Sequence, residues 1–412
     1  MKILFLSQYF YPEQFSNSRI ATGLVDRGMD VEVICCVPNY PKGVFYEGYS
    51  NSVRRREVWN GVTIHRVLTI PRGNRALKLI FNYLAYAFLS PFKAIQLTIR
   101  RRPGVVFVSL LSPITQAFAG IVVKRIFHVP LVYWVQDIWP ESATVNYNIS
   151  NPFIVRSLSW VCGWIYRQAD LIYVQSNAFP PMISRFGVAE DKIRIFPNSA
   201  ATFYRPVNRQ EAENEAQLVP GSGFKIMFAG NIGASQGFES IVEVAEILKS
   251  HHTIDWIIIG EGRELNRVRS LVREKGLDDQ FHFLGRHPEE RMPFFFAHAD
   301  AMLVTLAKSE IFSLTVPYKV QGYLACAKPI VGSLEGEGAR IVKVAGAGVT
   351  APPGKAAQLA REISNLIEMG PETLSEMGKN ALEFYRKNYE EKPLLDKLSE
   401  DLVQLSRETG KR

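Results

Sequence analysis

Lys225-Ile226-Met227-Phe228-Ala229-Gly230-Asn231-Ile232-Gly233 runs from a continuous apolar stretch into a glycine turn, and after Gln236-Gly237 a helical pattern fills residues 238–248. A short apolar strand, a turn of small residues and a helix in direct succession form one strand–helix unit. An apolar run without polar alternation is buried on both faces, as in a parallel sheet covered by helices. The unit recurs downstream, with apolar runs at 255–259, 281–284, 301–306 and 329–332 and helical patterns at 357–369 and 374–407. Upstream the same alternation places strands at 2–7, 31–37, 105–109, 131–135, 170–175 and 193–198. Between the first two, a helix over 17–27 shows Ile20 and Leu24 on its inner face, Ser16 as N-cap and Gly28 as its stop.

The 412 residues exceed what one core holds. Residues 205–223, rich in Asn, Glu, Pro and Gly, read as a linker. The expected fold class is α/β, with two Rossmann-like, doubly wound parallel-sheet domains facing across a cleft. Their expected bounds are 1–205 and 206–385, followed by a helical segment 386–412. Ligands are expected at the carboxyl ends of the strands.

Charge is unevenly placed. Residues 1–200 carry 22 Lys/Arg against 11 Asp/Glu, and the remainder 26 against 29, so the basic excess lies in the first half. That excess predicts a polyanionic partner. No nucleic-acid recognition motif surrounds the basic residues, so nucleic acid is not the expected partner. Arg54-Arg55-Arg56, Arg72, Arg75, Lys78 and Arg100-Arg101-Arg102 instead bracket an apolar stretch at 79–92 that includes Tyr83, Tyr86 and Phe88. Aromatic, apolar and basic residues so interleaved suit an interfacial element on an anionic membrane leaflet. The stretch is a poor span, because Lys78, Asn82, Pro91 and Lys93 interrupt it. Residues 3–6 give way at once to Ser7-Gln8, too short for the apolar region of a signal peptide. Four cysteines without C-x-x-C spacing predict a reduced, cytoplasmic chain, which with the interfacial stretch would lie peripheral on the membrane's inner face. Seven histidines with one adjacent pair, His251-His252, offer no metal-ligand spacing.

Three glycine turns follow strands in the second half: Gly230-Asn231-Ile232-Gly233, Gly260-Glu261-Gly262 and Gly285-Arg286. The spacing is not G-x-G-x-x-G, so the dinucleotide fingerprint is absent. Together at one sheet edge, however, such turns favour a nucleotide. In Phe312-Ser313-Leu314-Thr315-Val316-Pro317-Tyr318-Lys319, Ser313 and Thr315 are candidate caps, Pro317 suits a first turn, and Lys319 lies near the positive end of a helix dipole. A helix start plus one lysine is a candidate diphosphate site. In the first half, Trp134-Val135-Gln136-Asp137-Ile138-Trp139-Pro140-Glu141 ends a strand, and Pro140 predicts a loop carrying Asp137 and Glu141. Asp137 lies between apolar neighbours and needs a partner. The loop after the first strand, Tyr9 to Ser16, offers Glu13 at the same edge.

These blocks, in the order D-I-W-P-E-S, P-N, F-A-G-N-I-G, G-E-G, F-L-G and P-Y-K…K-P-I, resemble those of GT-B glycosyltransferases of family 4. Within that family the chain is most similar to bacterial WbuB-type enzymes, which are N-acetyl-L-fucosamine transferases of O-antigen and capsule assembly. The resemblance implies a UDP-sugar donor held by the C-terminal domain, a polyprenyl-diphosphate-linked acceptor held by the N-terminal domain, no metal or other cofactor, and a final helix that crosses back to the N-terminal domain. It implies donor contacts at Gly230, Asn231, Gly233, Gly260, Gly285, Arg286, Leu314, Thr315, Lys319 and Gln321, and chemistry at Asp137, Gln136 and Glu13. Four positions depart from the family pattern. Asn231 and Gln236 replace two diphosphate-binding cations, Gly322 an acid that bonds the ribose, and Gln136 a histidine. A UDP-sugar epimerase and an inactive nucleotide-sugar or lipid-binding subunit are the rival readings.

Overall fold

The computed structural model describes residues 1–73, 76–146 and 149–410. The chain divides into two compact units, Met1–Pro197 joined by the chain from Lys392 onward, and Asn198–Glu391.

The first unit is built on eight strands: β1 (Lys2–Leu6), β2 (Asp30–Cys35), β3 (Arg56–Trp59), β4 (Val62–Arg66), β5 (Val105–Leu110), β6 (Leu131–Val135), β7 (Leu171–Val174) and β8 (Ile193–Ile195). Their order is β3-β4-β2-β1-β5-β6-β7-β8, and every neighbouring pair is parallel except β3 and β4. In register, Phe5 sits between Val33 and Phe107. β1, β5 and β6 are apolar almost throughout because both faces are covered. The helices are α1 (Ser16–Val25), α2 (Ala76–Arg100), α3 (Ala117–Phe127), α4 (Glu141–Asn146) and α5 (Pro152–Tyr166). Ser16 is the first residue of α1, and Phe15, which makes no side-chain cap, occupies the N-cap position. The β3–β4 hairpin went unread in the sequence, although Asn60-Gly61, both at positive φ, is the strongest short hairpin signal.

The final helix, Glu391–Gly410, buries Leu395, Leu398 and Leu402 in the core that holds Ile3, Phe5 and Val31. A Cβ on Gly23 of α1 would fall 2.4 Å from Leu395, so glycine there lets the two helices close. Each buried leucine contributes roughly 1.5–3 kcal/mol, and Asp401 adds a 2.7 Å hydrogen bond from the Tyr173 hydroxyl and an ion pair with Arg194.

The second unit carries β9 (Phe224–Ala229), β10 (Ile254–Ile259), β11 (Phe281–Gly285), β12 (Ala301–Thr305), β13 (Ile330–Ser333) and β14 (Gly348–Ala351). All are parallel, in the order β11-β10-β9-β12-β13-β14. The direction of winding reverses between β9 and β12, the place where sheets of this type bind ligands. In the first sheet the reversal lies between β1 and β5. The expected linker is structured: Glu213–Ala216 is a helical turn, and buried Glu215 accepts from Arg291 at 2.6 and 2.8 Å. The helical pattern read over 374–407 is interrupted at Tyr389, between helices Gly370–Asn388 and Glu391–Gly410. Among the described residues no helix is long and apolar enough to cross a membrane.

Candidate functional site

The three glycine turns of the second sheet lie side by side. The Gly230 amide donates to the Ile259 carbonyl at 2.9 Å, and the Gly260 amide donates to that of Gly285 at 2.7 Å. Gly230 and Gly260 hold φ of 142° and 141°, and a Cβ on Gly260 would lie 1.9 Å from the Gly230 oxygen. The loops after β9 and β12 are laced together where the winding reverses. Thr305 Oγ1 donates to the Gln236 carbonyl at 2.7 Å, and the Ala307 amide to that of Ser235 at 2.9 Å.

Lys319, near the start of the helix Tyr318–Ala325, reaches into this loop. Its Nζ donates to Gln236 Oε1 at 2.6 Å and lies 3.7 Å from the centroid of the Phe228 ring. A Cβ on Gly230 would fall 2.7 Å from Lys319 Cε, so this glycine opens the lysine's path. No carboxylate pairs with Lys319 among the described residues, and desolvation lowers its pKa to about 7. Gln236 is therefore not merely a lost cation; it holds the remaining one. Phe228 was missed because a strand phenylalanine reads as core.

Several expected contacts fall elsewhere. The buried Gln321 turns back on its own helix, its amide nitrogen directed at the Pro317 and Tyr318 carbonyls at 2.9 and 3.1 Å, and offers nothing to a ribose. Gly322 lies under the Tyr204 ring. Leu314 and Thr315 belong to the end of a separate turn, Glu310–Leu314, not to the helix start, which lies at Pro317-Tyr318. Ser313 and Thr315 cap nothing there, since their hydroxyls donate back to Glu310 and Phe312. The segment is held by Gly336, where a Cβ would meet the Ser313 oxygen at 2.0 Å. Asn231 is exposed beside Gly233, and Arg286 is exposed beyond Gly285.

In the first unit, Asp137 follows β6. Its Oδ2 accepts from the Ser112 amide at 3.0 Å and the Ser112 hydroxyl at 2.7 Å. Trp139 Nε1 donates to the same hydroxyl at 3.2 Å, fixing its direction. Oδ1 takes no hydrogen bond among the described residues. Burial pushes the Asp137 carboxyl up, with Ser112 working against it. Ser112 is thus the partner Asp137 needed, supplied by the loop after β5. Gln136 is anchored through its backbone, its amide donating to Leu110 and its carbonyl accepting from Gln175. Glu141 opens helix α4 rather than lying on a loop, and pairs with Arg185.

Glu13 is a loop clamp, not a base facing outward. Its Oε1 accepts from the Asn39 and Tyr40 amides, both at 2.7 Å, and Oε2 from the Phe10 amide at 3.2 Å. Desolvation raises its pKa to about 7 against these bonds. A buried amide network lies nearby: Gln8 Nε2 donates to Asn82 Oδ1 at 2.6 Å, and the Gln8 backbone amide donates to Gln116 Oε1 at 2.7 Å. Asn82, which breaks the apolar run in sequence, fastens α2 to the loop after β1.

Of the residues expected at a membrane, Tyr86 is fully buried, its hydroxyl donating to the Ile34 carbonyl at 2.9 Å, and is withdrawn from that role. Tyr83 is half-buried, while Lys78, Phe88, Arg100, Arg101 and Arg102 are exposed. Arg101 pairs with Asp30, and Arg75 lies outside the described residues.

Comparison with known proteins accounts for both halves. Residues 16–199 match the glycosyl transferase 4-like domain, and residues 209–384 match glycosyl transferases group 1. The chain is a glycosyltransferase. It is 27% identical over 338 residues to WbjE of Pseudomonas aeruginosa, named as a probable glycosyltransferase, covering 80% of this chain and 82% of that protein. WcaI of Escherichia coli (strain K12), named for colanic acid biosynthesis, is 24% identical over 340 residues, covering 79% and 81%. The fold is GT-B. Sucrose-phosphate synthase from Thermosynechococcus elongatus superposes with a TM-score of 0.75 at 17% identity, over 98% of both chains. Anabaena HepE in complex with UDP gives 0.71 at 16% identity, over 98% of this chain and 100% of that one. The glycosyltransferase therefore carries Lys319 in its group 1 domain and Asp137 in its 4-like domain.

Proposed function

We propose that this glycosyltransferase moves a sugar from a UDP-sugar to a polyprenyl-diphosphate-linked saccharide during bacterial surface-polysaccharide assembly, as a cytoplasmic enzyme peripheral to the membrane. The observation that carries the donor half is Lys319, a half-buried lysine with no carboxylate partner among the described residues, beside glycine turns at the winding reversal. HepE, which shares the fold, was solved with UDP, and WcaI, a relative, is named for colanic acid biosynthesis. The WbuB-type resemblance favours N-acetyl-L-fucosamine as the sugar.

In this reaction the anomeric C–O bond breaks and its electron pair leaves on the UDP diphosphate. Lys319, preorganised by Gln236 and Phe228, meets that growing charge in a poorly hydrated place, where electrostatic stabilisation is strongest. No metal ion is assigned a step. The acceptor hydroxyl oxygen forms the new bond to the anomeric carbon and gives up its proton. Asp137, with Oδ2 held by Ser112 and Oδ1 open, is the group that orients this hydroxyl and takes the proton.

The test is product analysis of a UDP-, GDP- and dTDP-sugar panel with a lipid-linked acceptor, for wild type and Lys319→Ala. Acceptor-dependent release of UDP that needs Lys319 supports the reading. Sugar isomerisation without acceptor would indicate an epimerase, UDP binding without turnover an inactive subunit, and wild-type turnover by the variant would remove the proposed centre.

A further inference from the structure

α2 carries an exposed apolar stripe on one side: Leu77, Phe81, Leu84, Phe88, Phe92 and Ile99 are each more than half exposed. Beside its C-terminal half, between α2 and the β3–β4 hairpin, runs a groove of about 800 Å³. Phe92 belongs to both, so stripe and groove adjoin. Arg55, Arg56, Lys93 and Arg100 line the groove, and none of the four pairs with a carboxylate among the described residues. Its one acid, Glu32, is already engaged by Lys2 at 3.3 Å and His65 at 3.7 Å. Among the described residues Lys93 has only Gln96 Oε1, at 2.9 Å, as a hydrogen-bond partner. Its pKa is lowered by desolvation and then by Arg100 and Arg55, with Arg56 adding to them and Glu32 offsetting them only in part, so the four cations crowd one another. α2, α3 and α5 together contain no Asp or Glu.

We infer that this groove is a binding site for the phosphate groups of anionic phospholipids, filled when the α2 stripe settles into the membrane beside it. The inference rests on the membrane association proposed above and adds to it where the charge is read. A stripe alone gives affinity for any bilayer. Four uncompensated cations at its edge give selectivity for an anionic one, because each basic side chain near such a surface strengthens attachment severalfold.

The full-length protein is tested by flotation with phosphatidylcholine vesicles, with and without phosphatidylglycerol. The groove variant is Arg55→Gln/Arg56→Gln/Lys93→Gln/Arg100→Gln. A control, Lys343→Gln/Arg361→Gln/Lys379→Gln/Lys387→Gln, removes the same charge from exposed positions of the second unit. A third variant, Phe81→Ser/Phe88→Ser, blunts the stripe. The groove variant is expected to lose on the order of 10²-fold in partition to phosphatidylglycerol vesicles and most of its salt dependence. The control is expected to bind as wild type, and the stripe variant to weaken on both vesicles. Wild type binding anionic vesicles while groove and control variants fall equally, or neither falls, would overturn the groove and leave membrane association standing. Wild type floating with neither vesicle would overturn both. UDP affinity, measured on every variant, confirms that each is folded.

Discussion

Lys319 and Asp137 are electrostatic opposites produced by the same device. Each is a titratable group withdrawn from water in its own unit, held by neutral hydrogen-bond partners, and left without an opposite charge among the described residues. Elsewhere several buried charges are compensated by an opposite one: Glu215 with Arg291, Glu337 with Arg340, Arg66 with Glu57, Lys2 with Glu32. Glu13 and Lys328 also lack an ion pair among the described residues, but backbone groups satisfy them, whereas Lys319 and Asp137 keep capacity open, and unpaired charges of that kind gather at functional sites. The signs suit the proposed roles, a cation for a diphosphate and a carboxylate for a hydroxyl.

The comparison breaks most directly at Lys319. Replacing it with Ala removes the cation proposed to meet the leaving group, and a loss of about 10²–10³-fold in donor turnover is expected, as for one preorganised donor at a developing charge. Single-turnover UDP release reads this directly. Asp137→Asn preserves shape and the Ser112 contacts but cannot take a proton, and a fall in kcat of about 10²-fold is expected. Unchanged kcat with raised KM would reduce Asp137 to an acceptor-binding group.

The alternation of apolar runs with helices made both sheets legible, because a parallel sheet buried on two faces leaves continuous strands such as Leu131–Val135. The β3–β4 edge escaped because both strands are short and β3 alternates, with two of its four residues exposed. At the candidate site, sequence reading singled out Lys319 and Asp137 but not their supports. Ser112 and Phe228 carry no chemical signature, and proximity to Asp137 and Lys319 exists only after folding. Gln321 and Tyr86 misled for the opposite reason. Each has a side chain suited to the role expected of it, and each spends its donor, the Gln321 amide nitrogen or the Tyr86 hydroxyl, on backbone carbonyls.

A pH measurement sharpens the contrast at the donor side. With its pKa near 7 in the unliganded protein, Lys319 is largely neutral above that value. A bound diphosphate favours the ammonium form, so binding takes up a proton. UDP-sugar affinity is expected to hold below pH 7 and to weaken by up to about tenfold per pH unit above it. Calorimetry in buffers of different ionisation heat measures the uptake, and Lys319→Met is expected to bind weakly with no such slope. A wild-type affinity flat from pH 7 to 9 would place the diphosphate elsewhere.

Glu13 tests whether a buried carboxylate without an ion pair must serve a ligand. Unlike Asp137, it has both oxygens occupied by backbone amides, so its effect belongs to stability rather than turnover. Its pKa is about 7 in the folded chain, against 4.5 for the ordinary group, so the folded state binds the proton more tightly. Its stabilising effect is present below pH 4.5 and is lost as pH rises through 7, a change of about 3 kcal/mol by linkage. Glu13→Gln cannot titrate, and its amide nitrogen faces a donor at Phe10, costing about 1–3 kcal/mol. The variant is therefore expected to melt lower at pH 5, to close part of that gap by pH 8, and to keep wild-type kcat in the folded protein. Loss of kcat with unchanged melting would move Glu13 from the loop it clamps to the reaction itself.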